Sequence, residues 1–169
     1  MTRGDDLGRV VIPKEIRRTM RIREGDPLEI FTNNGEVIFK KYSPMGEMVG
    51  FATDLVAAVS GDCGLIMAIC DREHCVAASA AKKELLEKSV THELEKICEE
   101  RRLYSNQSGA DVFAFDGVAK KLCVAAPIVS AGDITGCVVL LENEKATAAS
   151  ESDIKLAKVA AQFLASRSE

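Results

Sequence analysis

Residues 5–18 read Asp-Asp-Leu-Gly-Arg-Val-Val-Ile-Pro-Lys-Glu-Ile-Arg-Arg, and this stretch decides how the N-terminal part of the chain folds. The β-branched run at 9–12 predicts a short strand. Pro13 follows at the place of a first helical residue, where a missing N–H group costs nothing. Residues 14–20 then predict a helix of two turns. A helix this short is not stable by itself, so we expect packing to hold it.

Basic side chains are concentrated around the predicted helix. Between positions 9 and 23 there are six basic residues and one acidic residue, a local net charge of +5 in a chain whose net charge is −4. The basic residues are Arg9, Lys14, Arg17, Arg18, Arg21 and Arg23. Ile16 and Met20 are four residues apart and are expected to face the core, which turns the arginines outward. A basic surface of this kind suits phosphate groups, although an isolated Arg-Arg pair is more often a solvated helix face.

Two further strands are predicted at 28–33 and 36–42. Asn34-Gly35 joins them and accepts the positive backbone angles of a two-residue hairpin turn. The register expected from that turn pairs Thr32 with Val37, Phe31 with Ile38, Ile30 with Phe39 and Glu29 with Lys40. Glu29 and Lys40 are expected to form an ion pair worth a few tenths of a kcal/mol.

The stretch 5–18, together with residues 21–30 and 36–42, resembles the AbrB-type DNA-binding domain. Within that family the sequence resembles the SpoVT type of sporulation regulator, which adds a GAF-like domain behind the DNA-binding module. The resemblance implies that two chains interleave their hairpins into one barrel-like sheet. A module of some 42 residues with few large apolar side chains also needs a partner on physical grounds, so we expect an obligate dimer.

The same resemblance implies which residues contact DNA. Arg9 in the first strand and Arg17 and Arg18 in the helix match the DNA-contacting arginines of the family. We add Lys14 and Arg21 on physical grounds alone, because arginine and lysine side chains near such a surface bind phosphate. In the family a basic strand precedes the Asp-Asp pair, whereas only four residues precede it here. We therefore expect the first strand to be shortened or lost.

The charge distribution favours two domains. Residues 1–42 have a net charge of +2, and residues 43–169 have a net charge of −6. We predict a DNA-binding domain at 1–43, a linking helix at 44–60 and a second domain at 61–169. Apolar residues repeat through the linking helix at a three-four spacing, namely Met45, Met48, Ala52, Leu55 and Val59. This pattern fits either a coiled-coil seam or a helix lying on its own domain.

The second domain is predicted to be α+β with an antiparallel sheet. Strands are expected at 65–70, 75–79, 112–115, 122–129 and 136–142. Helices are expected at 80–88, at 89–102 with Ser89 as the N-cap, and from Ser150 onward. Residues 126–140 resemble the Pro-Ile, turn, Gly, Val-Leu hairpin of GAF domains. That resemblance implies a small-molecule sensor, with oligomerisation alone as the equal alternative.

The six cysteines have irregular spacing, and the chain lacks a secretory signal and any apolar run near the roughly 20 residues that span a bilayer. We therefore expect reduced thiols in a cytoplasmic protein. Cys70 and Cys75 flank a turn with His74, but without C-x-x-C spacing we interpret them as buried thiols rather than a metal or redox site. Ser150, Ser152 and Asp153 are interpreted as helix caps, and no catalytic constellation is present in the sequence.

Together these features predict a sequence-selective, DNA-binding transcription regulator of sporulation genes that is not an enzyme. The expected partners are double-stranded DNA and further copies of the chain, as a homodimer through the N-terminal domain and a homotetramer through C-terminal helices, with no membrane partner. No cofactor or metal is expected, apart from an unidentified small-molecule ligand of the GAF-like domain. The alternatives are a cysteine-dependent reductase on a GAF-like fold and a swapped-hairpin antitoxin.

Overall fold

The computed structural model describes residues 4, 6–41, 49–60 and 63–167, and it divides the chain into two compact units, Met1–Ser43 and Pro44–Glu169. The described elements of the N-terminal unit are helix α1, Lys14–Met20, and strands β1, Leu28–Asn33, and β2, Glu36–Lys41. The predicted end of the second strand at Tyr42 lies outside the described residues.

Strands β1 and β2 form the predicted hairpin. Asn34 and Gly35 both have positive φ, 47° and 80°, as a tight two-residue turn requires. The register confirms all four predicted pairs, which are Glu29↔Lys40, Ile30↔Phe39, Phe31↔Ile38 and Thr32↔Val37. Turn chemistry alone was sufficient to fix this register.

The ion pair predicted between Glu29 and Lys40 is wrong. The two residues are cross-strand neighbours, but no salt bridge joins them in the described part of the hairpin. The Lys40 ammonium instead lies 5.2 Å from the centre of the Phe31 ring, which is its diagonal neighbour on the same face. An exposed ion pair stabilises so little that the aromatic ring is a competitive partner.

The strand predicted at 9–12 is also not formed within one chain. Among the described residues of this segment only Val10 is bridged, to Gly4, and Gly8 at φ 74° lies in the loop between them. A strand needs a continuous partner, and a single bridge does not supply one. Pro13 precedes the helix rather than beginning it, and its carbonyl accepts the N–H groups of Ile16 and Arg17, both at 3.1 Å.

The C-terminal unit is α+β, as predicted. Its helices are α2, Val49–Val59; α3, Lys82–Leu85; α4, His92–Glu99; and α5, Glu151–Arg167. Its strands are β3, Ile66–Asp71; β4, Cys75–Ala78; β5, Tyr104–Ser105; β6, Leu122–Ser130; and β7, Asp133–Leu141. They form one sheet in the order β4-β3-β7-β6-β5, with every neighbouring pair antiparallel.

Both faces of this sheet are covered. Along β3, Met67 and Ile69 pack against α2 and α5, whereas Ala68 and Cys70 face the side that holds α3 and α4. This alternation is the period of two that a strand imposes on its side chains. Because both faces are buried, β3 is apolar at nearly every position.

Helix α2 lies on its own domain. Ala52, Val56 and Val59 are buried in the core beneath the sheet, and Leu55 packs at its edge. This arrangement favours a helix that lies on its own domain over a coiled-coil seam. It also makes the described part of the predicted linking helix a part of the C-terminal unit. Met45 and Met48 lie outside the described residues.

The helix predicted at 80–88 is only four residues long, Lys82–Leu85. Ala81 and Glu87 bound it with positive φ, 52° and 69°, which a continuous helix cannot contain. The predicted β-strand at 112–115 is likewise reduced to two isolated bridges, at Phe113 and Phe115. Local sequence pattern does not show whether a partner strand is available, and this explains the difference.

The helix predicted at 89–102 begins later, at His92. Thr91, not Ser89, is the N-cap, and its hydroxyl accepts the N–H of Leu94 at 3.2 Å. Ser89 instead bridges His74, so tertiary pairing competes with the helix for the preceding residues. The two-residue strand β5 was not predicted.

Helix α5 begins with a reciprocal cap. The Ser150 hydroxyl accepts the Asp153 N–H at 3.2 Å, and the Asp153 carboxylate accepts the Ser150 N–H at 2.9 Å. This confirms the interpretation of Ser150 and Asp153 as caps. The same interpretation of Ser152 is wrong, because Ser152 lies inside the first turn of α5 and its side chain makes no cap hydrogen bond. Within the described residues, no helix is both long and apolar enough to cross a membrane.

Candidate nucleic-acid interface

The basic helix α1 ends in a well-defined motif. The Ile22 N–H donates to the Arg17 carbonyl at 2.8 Å, and the Arg21 N–H donates to the Arg18 carbonyl at 3.3 Å. Arg21 itself has the left-handed conformation, with φ 56° and ψ 42°. These features define a Schellman motif, which satisfies the last carbonyls of the helix.

Three of the predicted DNA-contacting side chains share one face of α1. Lys14, Arg17 and Arg18 follow an i, i+3, i+4 spacing, which places neighbouring side chains together on a helix surface. All three are exposed. Ile16 and Met20, on the opposite face, are also exposed within one chain, at 47% and 40%. The helix therefore has a cationic face and an apolar face, and one chain covers neither of them.

The charges on this face are not neutralised by any acidic side chain that the structure describes. In the described part of the structure, no salt bridge involves Lys14, Arg17, Arg18 or Arg21. Glu15 lies in the first turn and the two arginines in the last turn, which is the charge order that the helix dipole favours. The same arginines thus support the helix and remain available to an anion.

The remaining predicted site residues lie beside α1. Arg21 follows the helix directly and is exposed, and Arg9 is exposed in the segment that precedes Pro13. Four of the five residues are thus brought together by α1 and the residue that follows it, namely Lys14, Arg17, Arg18 and Arg21. Arg9 lies outside that element.

Sequence reasoning missed Lys41. Its ammonium donates to the Arg21 carbonyl at 3.0 Å, joining the end of β2 to the end of α1. The two residues are 20 positions apart, so no local pattern predicts the contact. Lys41 positions the helix end against the hairpin.

The N-terminal unit has no buried core of its own. None of its described residues is buried. Large apolar side chains are exposed instead, namely Leu7, Val10, Val11, Ile16, Met20, Ile30, Phe31 and Val37. A unit of this size cannot offset its chain entropy without burying such side chains.

Side chains fill the interior of the C-terminal unit on both faces of its sheet. A cleft of about 340 Å³ lies at the surface beside Asn106, Lys121 and Glu142. Its polar groups are already engaged: the Asn106 amide donates to the Leu122 carbonyl at 3.1 Å, the Lys121 ammonium pairs with Asp111 at 3.0 Å, and Glu142 accepts the Lys121 N–H at 3.0 Å. This cleft offers few free groups to a polar ligand.

All six cysteines are free thiols, and five are buried, which confirms the interpretation of Cys70 and Cys75 as buried thiols. Desolvation raises the pKa of Cys70 well above its usual value and that of Cys75 to about 12. No group of three or more His, Cys, Asp or Glu side chains is arranged to hold a metal ion among the residues described.

In a comparison with known proteins, each part of the chain matches a different family model. Residues 47–169 match the family model described as "Stage V sporulation protein T C-terminal, transcription factor". Residues 1–46 match the model described as "Antidote-toxin recognition MazE, bacterial antitoxin".

Individual relatives agree with this division. The chain is 43% identical to "Stage V sporulation protein T" of Bacillus subtilis (strain 168) over 171 aligned residues, which cover 99% of this chain and 95% of the relative. It is 58% identical to "Transition state regulatory protein AbrB" of the same organism over 40 residues, 24% of this chain and 42% of that protein. It is also 45% identical to "Putative transition state regulator Abh" of that organism over 42 residues, 25% of this chain and 46% of that protein.

Proposed function

The chain belongs to the stage V sporulation protein T family of transcription factors, and from this premise we propose that it regulates sporulation genes by docking the cationic face of α1 on double-stranded DNA. In this proposal the N-terminal domain, which is similar to the transition state regulatory protein AbrB, contacts the DNA, and the α+β domain assembles the dimers.

The exposure of Lys14, Arg17 and Arg18 on one helix face, without a salt bridge to any described acid, carries this proposal. Arginine presents a planar fork of donors that fits both phosphate oxygens and the guanine edge, and lysine adds a point charge. Arg9 and Arg21 extend the same surface. Phosphate contacts supply most of the affinity, and DNA shape supplies much of the selectivity.

Two chains are needed to complete the DNA-binding domain. The uncovered apolar side chains of the N-terminal unit, among them Ile30 and Val37 at 64% and 60% exposure, support a dimer in which hairpins from two chains pack together. Such a dimer doubles the number of basic helices. We expect Ile30→Glu to break the N-terminal contact and to reduce the full chain from tetramer to dimer, and we expect Asn33→Glu, the same charge at the exposed end of the same strand, to leave the assembly unchanged, as measured by analytical ultracentrifugation.

Helices α2 and α5 support assembly beyond the dimer. Phe51 and Phe163 are exposed at 44% and 37%, with ring centres 6.4 Å apart and edge to face, and Val159 is exposed at 54%. The Arg167 guanidinium lies over both rings, at 5.3 Å and 5.5 Å. An apolar helical surface of this kind suits a second copy of the domain and favours a tetramer. Linked dimers bind DNA more tightly through multivalency.

The C-terminal domain, which we interpret as GAF-like, has its role in oligomerisation rather than in ligand sensing. Side chains such as Leu94 and Phe115 fill the space between the sheet and its covering helix and loops, and the surface cleft beside Asn106 has little free polar capacity. Neither feature favours a small-molecule site. The domain therefore needs no cofactor in this proposal.

A cysteine-dependent reductase is not favoured, because the thiols of Cys70 and Cys75 have raised pKa values and a nucleophilic thiol needs a lowered one. An antitoxin role is favoured only by the match of residues 1–46. The family match over residues 47–169 supports the regulator instead.

The decisive experiment compares two double variants of the full chain. Arg17→Ala/Arg18→Ala removes two charges from α1, and the control Lys82→Ala/Lys83→Ala removes the same number from exposed positions in the C-terminal unit. We expect the first variant to weaken binding to all duplexes and to lower the salt dependence of the binding constant by roughly 0.9 for each phosphate that is no longer neutralised. The control should bind as the original does. Equal DNA binding by both variants would contradict the proposal that this face of α1 contacts DNA.

A further inference from the structure

Asn34 differs from the other asparagines of the chain in the residue that follows it. The sequence has four asparagines, at positions 33, 34, 106 and 143, and only Asn34 precedes a glycine. Gly35 has no Cβ atom, so its backbone nitrogen is less shielded than that of any other residue type. Nothing on Gly35 therefore hinders the approach of this nitrogen to the side-chain carbonyl carbon of Asn34.

The Asn34 side chain is also not held in place. Asn34 and Gly35 are both exposed, and among the described residues no hydrogen bond involves the Asn34 side-chain amide. The residue lies in the left-handed region, with φ 47°, in the tight turn between β1 and β2. An exposed turn of this kind opens locally at a low free-energy cost, so other side-chain and backbone angles are reached transiently.

Asn106 and Asn143, by contrast, are held by their side chains. The Asn106 amide donates to the Leu122 carbonyl at 3.1 Å. The Asn143 side-chain oxygen accepts two backbone N–H groups, at 2.8 Å and 3.0 Å. Asn33 lies in strand β1 and is followed by asparagine rather than glycine. The local sequence and the structure thus single out Asn34.

We propose that Asn34 is a site of spontaneous deamidation. Hydroxide removes the proton of the Gly35 backbone N–H, and the nitrogen attacks the Asn34 Cγ atom to form a C–N bond. The side-chain nitrogen leaves, takes up a proton from water and departs as ammonia, which leaves a cyclic succinimide. Water then opens the ring at either carbonyl, giving aspartate or isoaspartate at position 34. No oxidant or reductant is involved, and asparagine is among the thermolabile residues.

The two products have different effects on the hairpin. Aspartate before glycine fits the same two-residue turn, so this product only adds a negative charge. In isoaspartate the backbone continues through the side-chain carbonyl, which inserts an extra methylene group between β1 and β2. A two-residue turn that sets the register does not accommodate this insertion.

A disturbed register also affects the basic helix, because Lys41 at the end of β2 donates to the Arg21 carbonyl at the end of α1. We therefore expect the isoaspartate form to bind DNA less tightly. This consequence rests on the proposed function, whereas the chemical modification does not.

The experiment keeps the purified full chain in warm, mildly alkaline buffer, and samples taken over time are digested and mapped by mass spectrometry. We expect Asn34 to convert to the acid at least about tenfold faster than Asn106 or Asn143, which corresponds to about 1.4 kcal/mol in activation free energy. Methyl transfer by a protein-isoaspartate methyltransferase measures the isoaspartate fraction. No conversion of Asn34, or faster conversion of any other asparagine, would overturn the proposal.

Two variants of the full chain test the effect on the hairpin. Asn34→Gly keeps a turn that accepts positive φ and has no amide to lose, so its duplex binding should stay constant while that of the original chain falls as isoaspartate accumulates. Freshly purified Asn34→Asp reproduces the aspartate product and should bind within about threefold of the fresh original chain, because a single exposed charge has a small effect.

An equal decline in duplex binding by the stored Asn34→Gly variant would contradict the proposed effect on the hairpin. A fresh original chain that does not bind any duplex would contradict the proposed function alone, because the conversion of Asn34 is measured without DNA.

Discussion

Lys41 holds the end of the basic helix: its Nζ atom donates a hydrogen bond to the Arg21 carbonyl oxygen at 3.0 Å. Arg21 occupies the left-handed position that closes α1, and Lys41 is the last residue of β2. The helix that has the exposed arginines is therefore fixed to the hairpin at the residue where it ends. This geometry connects the stability of the hairpin to the direction in which the guanidinium groups point.

Lys41→Met should weaken DNA binding without removing a side chain of the proposed DNA-contacting set. Loss of the hydrogen bond should cost about 0.5–1.5 kcal/mol of N-terminal domain stability and loosen the end of α1. Lys40→Met is the matched control, because it removes the same charge from the neighbouring residue, whose ammonium lies over Phe31. Fluorescence anisotropy with a labelled duplex measures the difference, and an equal decrease in affinity for both variants would contradict a positioning role for Lys41.

Arg21→Gly should separate stability from DNA binding. Glycine adopts positive φ without a steric penalty, so we expect the free energy of unfolding to remain within about 1 kcal/mol of its original value. The guanidinium is removed, so duplex binding should weaken. Arg21→Ala removes the same group but keeps a side chain at φ 56°, and it should bind equally weakly while being the less stable of the two. Chemical denaturation and anisotropy together test this, and undiminished binding by both variants would exclude Arg21 from the interface.

The buried thiols should make the protein lose stability in alkaline solution. Desolvation raises the pKa of Cys75 to about 12 and that of Cys123 to about 11, from a usual value of 9.0. Above about pH 9 the unfolded chain releases thiol protons that the folded chain keeps, so the free energy of unfolding falls as pH rises toward the folded-state pKa values. Below about pH 9 both states hold the proton, and this contribution is fully present.

Urea denaturation at a series of pH values measures this effect. Each thiol with a raised pKa should contribute at most about 1.4 kcal/mol per pH unit to the decline in the free energy of unfolding. Cys75→Ala should therefore show a shallower decline between about pH 9 and pH 11, even though its stability near neutral pH is lower. Parallel curves for the variant and the original chain would show that Cys75 does not contribute.

Ser150→Ala should destabilise the C-terminal domain by about 1 kcal/mol, because the Asp153 N–H loses its acceptor at the start of α5. Ser152→Ala is the matched control, since Ser152 lies in the same turn, is exposed and makes no cap hydrogen bond. Differential scanning calorimetry should show a lower melting temperature for the first variant alone. A similar decrease for both would indicate a change in the geometry of the helix start rather than removal of the cap.

Local chemistry explains which predictions succeeded. The Asn34-Gly35 turn fixed the whole β1–β2 register, because a two-residue turn with positive φ permits one strand alignment. The bounds of α1 and the cap at Ser150 were also predictable, since both depend on residues within one turn of the helix end. In each case the interacting residues are close together in the sequence.

The failures have the opposite cause. Serine often caps helices, but Ser89 forms a β-bridge with His74 instead. The 112–115 segment has residues typical of a strand, but it makes only isolated bridges. The contact between Lys41 and Arg21 spans 20 residues. Each of these contacts depends on which distant segment packs beside the residue in the folded chain. A short stretch of sequence does not contain that information.

By itself, the sequence determined the hairpin, the basic helix, the α+β character of the C-terminal domain and the resemblance that identifies the family, because these depend on turn chemistry, side-chain period and charge along the chain. Only the tertiary structure decided that the charges on α1 are left without acidic partners among the described residues, that the N-terminal unit leaves its apolar side chains uncovered, and that four cysteines meet on one sheet face. Those properties come from long-range packing, in which residues far apart in sequence share a surface because the fold buries apolar area between them.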